Sequence, residues 1–191
     1  LNAGSRITYS QGFGVGNRKI ELIGEGYFEV KRNEEVPFLV KTNSLLVKVL
    51  GTKFNFRDYP DDAEAVVSLS EGKVSLNNLL KKEKEAFLLP NERVVLNKKD
   101  GRMHVEHSTV ANALQWTNGY LFFDEELLPD VVKELERSYN VKIQIASDTL
   151  NTFRFYGNFV HREQNIQEVL EALSATRKIH YIIEGHNITL Y

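Results

Sequence analysis

The sequence predicts two domains: an N-terminal all-β domain of sandwich or solenoid-like type, and a C-terminal α+β domain with duplicated β-α-β units. Three observations support this fold class. Alternation of apolar and polar residues, broken by turn residues, dominates positions 1–110. Helical spacing of apolar residues appears only after Trp116. Within that second half, residues 38 positions apart repeat the same pattern. We therefore expect domains at 1–110 and 116–191.

Composition restricts the classes of protein to which the 191-residue chain can belong. Hydrophobic residues make up 42% and charged residues 26%, which is ordinary for a globular domain with a sizeable core. The net charge of −2 gives no basic surplus for nucleic-acid binding. No apolar run reaches the roughly 18 residues of a membrane span, and no signal peptide is recognisable. The absence of cysteine excludes disulfides and thiolate chemistry.

The N-terminal half consists of short alternating segments. In 45–49, Leu45, Val47 and Val49 share one wholly apolar face, which we predict to be buried. Turn residues separate the segments at intervals of roughly 8–12 residues, a spacing typical of a sandwich or barrel. Other apolar positions that fit this alternation are Ile20, Leu22, Phe38, Val40, Phe54, Phe56, Val74 and Leu76.

The C-terminal half contains two helices of similar pattern. Residues 127–135 and 166–173 carry apolar residues at helical spacing, each preceded and followed by an alternating, strand-like segment. Asp124 is the predicted N-cap of the first helix, and Pro129 lies near its start. A shift of 38 positions along the sequence aligns these elements with one another. We therefore predict two β-α-β units whose helices cover one small shared sheet.

No catalytic, cofactor-binding or metal-binding residue is predicted. The glycines of 12–16 do not match a dinucleotide loop, and no helix follows them. His104 and Glu106 share a strand face while His107 points away, which leaves two ligands where a catalytic zinc uses three. Glu25, between Gly24 and Gly26, is the one residue without a structural account. We expect no enzymatic activity and no cofactor.

Four blocks of the first half resemble the periplasmic domain of FecR-type anti-sigma regulators, in their order and spacing. Residues 1–110 are therefore identified as a FecR-like domain lacking its N-terminal beginning. The blocks are Gly24-Glu25-Gly26-Tyr27-Phe28-Glu29-Val30, Pro37-Phe38-Leu39-Val40, Val49-Leu50-Gly51-Thr52-Lys53-Phe54-Asn55-Phe56 and Leu69-Ser70-Glu71-Gly72-Lys73-Val74.

The second half resembles the C-terminal domain of such regulators in Bacteroidetes-type bacteria. That domain is similar to the short N-terminal domain of secretins and TonB-dependent transporters, a duplicated β-α-β fold. The likeness lies in 116–123, in Leu135-Glu136-Arg137-Ser138-Tyr139-Asn140-Val141 and in Gly157-Asn158-Phe159.

The resemblance implies a signalling role in the periplasm. Such regulators are anchored in the inner membrane by one helix and bind an extracytoplasmic-function sigma factor through a cytoplasmic segment. A loaded TonB-dependent outer-membrane transporter contacts the periplasmic part through its signalling domain. The chain begins Leu1-Asn2-Ala3 without a methionine, so we expect it to be the periplasmic piece of a longer protein that carries the sigma-binding segment and the membrane helix.

The expected partner contact is β-augmentation, in which a strand of the transporter pairs with an exposed sheet edge. Candidate edges are 153–159 and 188–191. The candidate partner-binding residues are Phe153, Phe155, Phe159, Ile188 and Leu190. Alternatively, the phenylalanines belong to the core.

Two other functions stay open at this point. A glycan-binding or cell-envelope scaffold module would use an aromatic surface, for which Tyr9, Phe13, Tyr59 and Tyr120 are the candidates. An enzyme of unfamiliar type would depend on Glu25 and the His104 cluster.

Overall fold

The computed structural model describes residues 1–191, which form two compact units, Leu1–Leu114 and Gln115–Tyr191. The first unit is a ten-stranded sheet followed by one short helix, α1 (Val110–Ala113). Its strands are β1 (Arg6–Tyr9), β2 (Arg18–Glu29), β3 (Phe38–Lys41), β4 (Leu45–Val49), β5 (Lys53–Asp58), β6 (Glu64–Glu71), β7 (Val74–Asn78), β8 (Ala86–Leu88), β9 (Glu92–Asn97) and β10 (Met103–His107).

This sheet is continuous and nearly closed into a barrel. The strand order is β10-β9-β6-β5-β2-β3-β4-β7-β8, and β1 pairs with β2 beside this path. The two ends of the sheet come close together, since Asn78 at the end of β7 donates its side-chain N–H to the Gly101 carbonyl of the β9–β10 turn at 2.8 Å. One apolar core therefore lies inside a sheet that curls around it.

The alternating pattern correctly predicts the core positions. Leu45, Val47 and Val49 are buried, as are the other alternating positions named from the sequence. Phe28 and Phe54 stack with ring centroids 5.1 Å apart. Burial of this apolar face stabilises the sheet by roughly 25 cal/mol for each Å² removed from water.

Strand β2 changes its partners at Gly24. Residues before Gly24 pair with β1 and β3, whereas Gly24 and the residues after it pair with β5. Gly24 has a φ of +97°, a conformation that side chains with a Cβ rarely adopt. A Cβ at this position would lie 2.4 Å from the Ser5 Oγ atom. The bend at Gly24 thus allows one strand to serve both parts of the sheet.

The second unit contains two small sheets and two longer helices. Strands β11 and β13 form an antiparallel pair, and a three-stranded sheet has the order β12-β15-β14. No helix in the chain combines the length and apolar character required to span a bilayer. The elements are β11 (Tyr120–Leu127), α2 (Leu128–Tyr139), β12 (Lys142–Ile145), β13 (Arg154–Val160), α3 (Ile166–Ser174), β14 (Tyr181–Glu184) and β15 (Asn187–Leu190), with 3₁₀ turns at Gln115–Asn118 and Asp148–Thr152.

The predicted fold class is wrong. The chain is mostly β, with 46% of residues in strands and 18% in helices, and one near-barrel sheet accompanied by small sheets replaces the expected sandwich and α+β domain. In the first unit, β2 pairs with β3 along its first part and with β5 along its second, so that all ten strands form a single sheet. In the second, the two repeated units do not share one sheet, because their first strands pair with each other while β12 and β14 both pair with β15.

Gly24→Ala is expected to destabilise the first unit by about 2 kcal/mol, because the added Cβ meets Ser5 and the backbone conformation becomes strained. Gly12→Ala is the matched control, since no atom lies within 4 Å of the Cβ that it would add. Urea denaturation measures both variants. Equal stability of the two variants would contradict the role given to Gly24.

Candidate functional site

The predicted partner-binding side chains lie in the core of the second unit. Phe155, Phe159, Ile188 and Leu190 are buried, and Phe153 packs against the same cluster while partly exposed. The rings of Phe155 and Phe159 are parallel, with centroids 6.1 Å apart. A partner would therefore meet these strands through their backbone or through the side chains that face outward.

The two predicted edges differ in their availability. Strand β15 is the central strand of its sheet, hydrogen-bonded to β12 on one side and to β14 on the other. The segment 188–191 is consequently not an open edge. Strand β13 pairs only with β11, so its second edge has no strand partner. Of the two segments predicted from the sequence, only 153–159 presents a sheet edge.

The backbone groups along the free edge of β13 can be assigned from its ends. The Phe153 carbonyl accepts from the Leu128 N–H at 2.8 Å, and the His161 N–H donates to the Gly119 carbonyl at 2.9 Å. Both odd-numbered residues therefore direct their backbone towards the β11 side. Because alternate residues of a strand point in opposite directions, Tyr156 and Asn158 direct theirs to the free edge.

Tyr156 lies at the point where the partner strand is irregular. The register of β11 shifts between Phe123 and Glu126, and Glu125 there has a φ of +55°. A hydrogen bond to the Glu125 carboxylate holds the pKa of Tyr156 above its ordinary value, with further contributions from desolvation and nearby acidic charge. Tyr156 is 59% exposed. This tyrosine and its carboxylate are thus fixed relative to each other beside the free edge.

The acidic residues before α2 do not begin that helix. Asp124, predicted as the N-cap, lies in strand β11, and the helix starts at Leu128 after the cap residue Leu127. The prediction was wrong because β11 continues to Leu127, paired with Arg154 of β13. Pro129 lies in the first turn, as predicted.

Glu25 is the centre of a buried polar network. Its Oε2 atom accepts from the Asn2 side chain at 2.8 Å, and its Oε1 atom accepts from the Asn55 side chain at 2.7 Å. The Arg57 Nη1 atom lies 3.9 Å from Oε2. The Glu25 side chain is only 5% exposed. Both carboxylate oxygens therefore have donors, as a buried carboxylate requires.

The same network fixes the first residues of the chain. The Asn2 N–H donates to the Glu25 carbonyl at 3.0 Å, and the Glu25 N–H donates to the Ser5 Oγ atom at 2.8 Å. The Tyr59 hydroxyl donates to the Ala3 carbonyl at 2.7 Å. Glu25 thus joins residues 2–5 to strands β2 and β5. These contacts indicate a structural role, in which Glu25 holds the N-terminal residues against the sheet.

The remaining candidates from the sequence form no common site. The His104 Nε2 atom is 3.8 Å from Glu106, whose carboxylate also receives the Arg93 guanidinium. The chain contains no group of three or more residues arranged to hold a metal ion. Among the aromatic residues considered for glycan binding, Tyr59 is buried, while Tyr9 and Phe13 are exposed with centroids 5.5 Å apart.

Glu25→Ala is expected to lower the free energy of unfolding by about 3 kcal/mol, because the buried Asn55 amide and the half-buried Asn2 amide lose a charged acceptor. Glu21→Ala, on the exposed side of the same strand, is the control and should change stability by less than about 0.5 kcal/mol. Urea denaturation followed by far-UV circular dichroism gives both values. A Glu25→Ala chain as stable as the parent would contradict the structural role given to Glu25.

Comparison with known proteins agrees with the resemblance seen in the sequence. The family described as "FecR protein" matches residues 1–75, and the family described as "FecR, C-terminal" matches residues 120–190. No curated protein matches the chain.

Two crystal structures of a protein assigned as an anti-sigma factor from Parabacteroides distasonis ATCC 8503 are similar along the whole chain. The structure at 1.65 Å has a TM-score of 0.89 and 32% sequence identity, covering 100% of this chain and 88% of that one. The structure at 2.50 Å has a TM-score of 0.88 and 32% identity, covering 100% of this chain and 87% of that one. With both FecR families matched and this similarity extending over its full length, the chain belongs to the FecR family of anti-sigma factors.

Proposed function

We propose that the chain is the periplasmic sensor part of a transmembrane anti-sigma regulator. In this role it receives a signal from a TonB-dependent outer-membrane transporter and controls an extracytoplasmic-function sigma factor. Membership of the FecR family supports the regulatory role. The open edge of β13 is the observation that carries the proposed partner contact. The role is regulatory and involves no catalysis.

The partner strand would come from the periplasmic signalling domain of the transporter. It would pair with β13 through the backbone groups of Tyr156 and Asn158, since main-chain hydrogen bonds provide affinity in β-augmentation. The exposed side chains Arg154, Tyr156 and Asn158 alternate with buried Phe155 and Phe159. The buried phenylalanines would keep the strand straight and fixed while the outward side chains contribute selectivity.

The parts of the regulator that bind the sigma factor and cross the membrane would lie outside residues 1–191. In this proposal a helix anchors the sensor in the inner membrane, and a cytoplasmic segment holds the sigma factor. We further propose that 1–110 acts as the FecR-like domain and 116–191 as a domain similar to the short N-terminal domain of secretins and TonB-dependent transporters.

Isothermal titration calorimetry with the purified signalling domain of the cognate transporter tests the contact. The chain should bind that domain, and Asn158→Pro should weaken binding at least about tenfold, because proline removes the N–H that faces the free edge. Asn158→Ala is the matched control. It keeps the N–H and should bind within about threefold of the parent, since it alters an exposed side chain only.

Two results would contradict this proposal. Absence of measurable heat at high micromolar concentration would count against the transporter as the partner. Equal loss of binding by both Asn158 variants would place the contact in the side chain and not in the strand edge. Far-UV circular dichroism spectra that match the parent show that both variants keep the overall secondary structure.

A further inference from the structure

A small cavity with both polar and apolar lining residues lies at one end of the ten-stranded sheet. Its volume is about 140 Å³, and it is lined by residues of β2, by the last residue of β5 and by three turns. The mouth of a barrel is a common place for a ligand site. Exposed Ile23, Asn43 and Pro60 border the cavity, so that solvent can reach it. The full lining is Leu22, Ile23, Asn43, Ser44, Asp58, Pro60 and Lys98.

Asp58 supplies an unused acceptor to this cavity. Its side chain is only 4% exposed. The Oδ1 atom lies 2.6 Å from the Lys98 Nζ atom and accepts from the Ser44 hydroxyl at 3.2 Å. The Oδ2 atom is buried and receives no hydrogen bond from the protein. A buried carboxylate oxygen without a donor is costly and indicates a group that the site is built to receive.

Lys98 supplies a donor beside that acceptor. Its ammonium group carries three N–H donors. It contacts the Tyr59 carbonyl and Asp58 Oδ1, which accounts for two of them. The Lys98 side chain is 18% exposed and borders the cavity. The third N–H is therefore placed to meet an acceptor there.

The charges of the two residues determine the kind of ligand. The carboxylate and the ammonium compensate each other, so the cavity attracts neither an anion nor a cation strongly. A neutral group that carries one donor and one acceptor matches Asp58 Oδ2 and Lys98 together. The volume is close to that of cavities of about 150 Å³ that hold a benzene ring. A primary carboxamide meets all three conditions.

We propose that the cavity at Asp58 and Lys98 is a binding site for a primary carboxamide, donated either by a free small amide or by a glutamine or asparagine side chain of a peptide. In this site the amide N–H donates to Asp58 Oδ2 and the amide carbonyl accepts from Lys98. The site belongs to the first unit and is independent of the β13 edge in the second.

Amide-resolved NMR titration of the ¹⁵N-labelled chain tests this site. Propionamide should produce saturable shifts at the backbone amides of Asn43, Ser44, Asp58 and Lys98, with millimolar affinity as expected for a ligand of so few atoms. Propionate has nearly the same shape without the donor and should give no saturable shift. N-acetylglutamine methylamide distinguishes the sources: tighter binding than propionamide indicates a peptide side chain, and weaker binding indicates a free amide.

Asp58→Asn is expected to lose propionamide binding at least about tenfold, because an amide group replaces the acceptor at Oδ2. Glu64→Gln, an exposed change of the same kind on β6, should bind like the parent. Two results with the parent chain alone would overturn the proposal: saturable shifts of equal size with propionate, or no saturable shift with propionamide. A crystal structure grown with propionamide that retains only an ordered water on Asp58 Oδ2 would overturn it as well.

Discussion

The bend of β2 at Gly24, with the buried Glu25 carboxylate beside it, is the constraint on which the first unit depends. Because β2 pairs with β1 and β3 before the bend and with β5 after it, a single strand joins all ten into one sheet around one core. A bend in a strand leaves backbone groups without their regular partners. Ser5, held close by the lack of a Cβ at Gly24, accepts the Glu25 N–H. Gly24 therefore permits the bend, and the contacts of Glu25 stabilise it.

The local patterns of the first unit were predictable from sequence, and its long-range contacts were not. Alternation located the buried faces because burial of alternate residues follows from strand geometry. The function of Glu25 could not be read in this way, since its amide partners Asn2 and Asn55 are distant along the chain. The predicted sandwich failed for the same reason: periodicity identifies strands and their faces, but it does not indicate that β2 changes partners at Gly24 and so joins the strands into one sheet.

The second unit shows the same limit in a different form. The 38-residue repeat correctly identified equivalent helices, whose apolar residues such as Leu135 and Leu173 are fully buried. It could not indicate that the repeated strands would be divided between two sheets. The division of the strands between two sheets determines which segment is available to a partner strand. It places β15 in the centre of one sheet and leaves β13 with an open edge, although sequence reasoning had treated both segments alike. Sequence reasoning also missed Asp58 and Lys98, which come together only through tertiary folding.

The proposed sensor role needs a rigid framework and a surface that a partner can bind. The nearly closed sheet of the first unit provides the framework, and β13, which pairs on one side only, is the proposed site of that surface. Hydrogen–deuterium exchange, measured with and without the transporter's signalling domain, tests the proposed contact at β13 most directly. We expect complex formation to slow exchange at the amides of Tyr156 and Asn158, which face the open edge, more than at the already paired amides of β15. Unchanged exchange at Tyr156 and Asn158 in a saturated complex would contradict it.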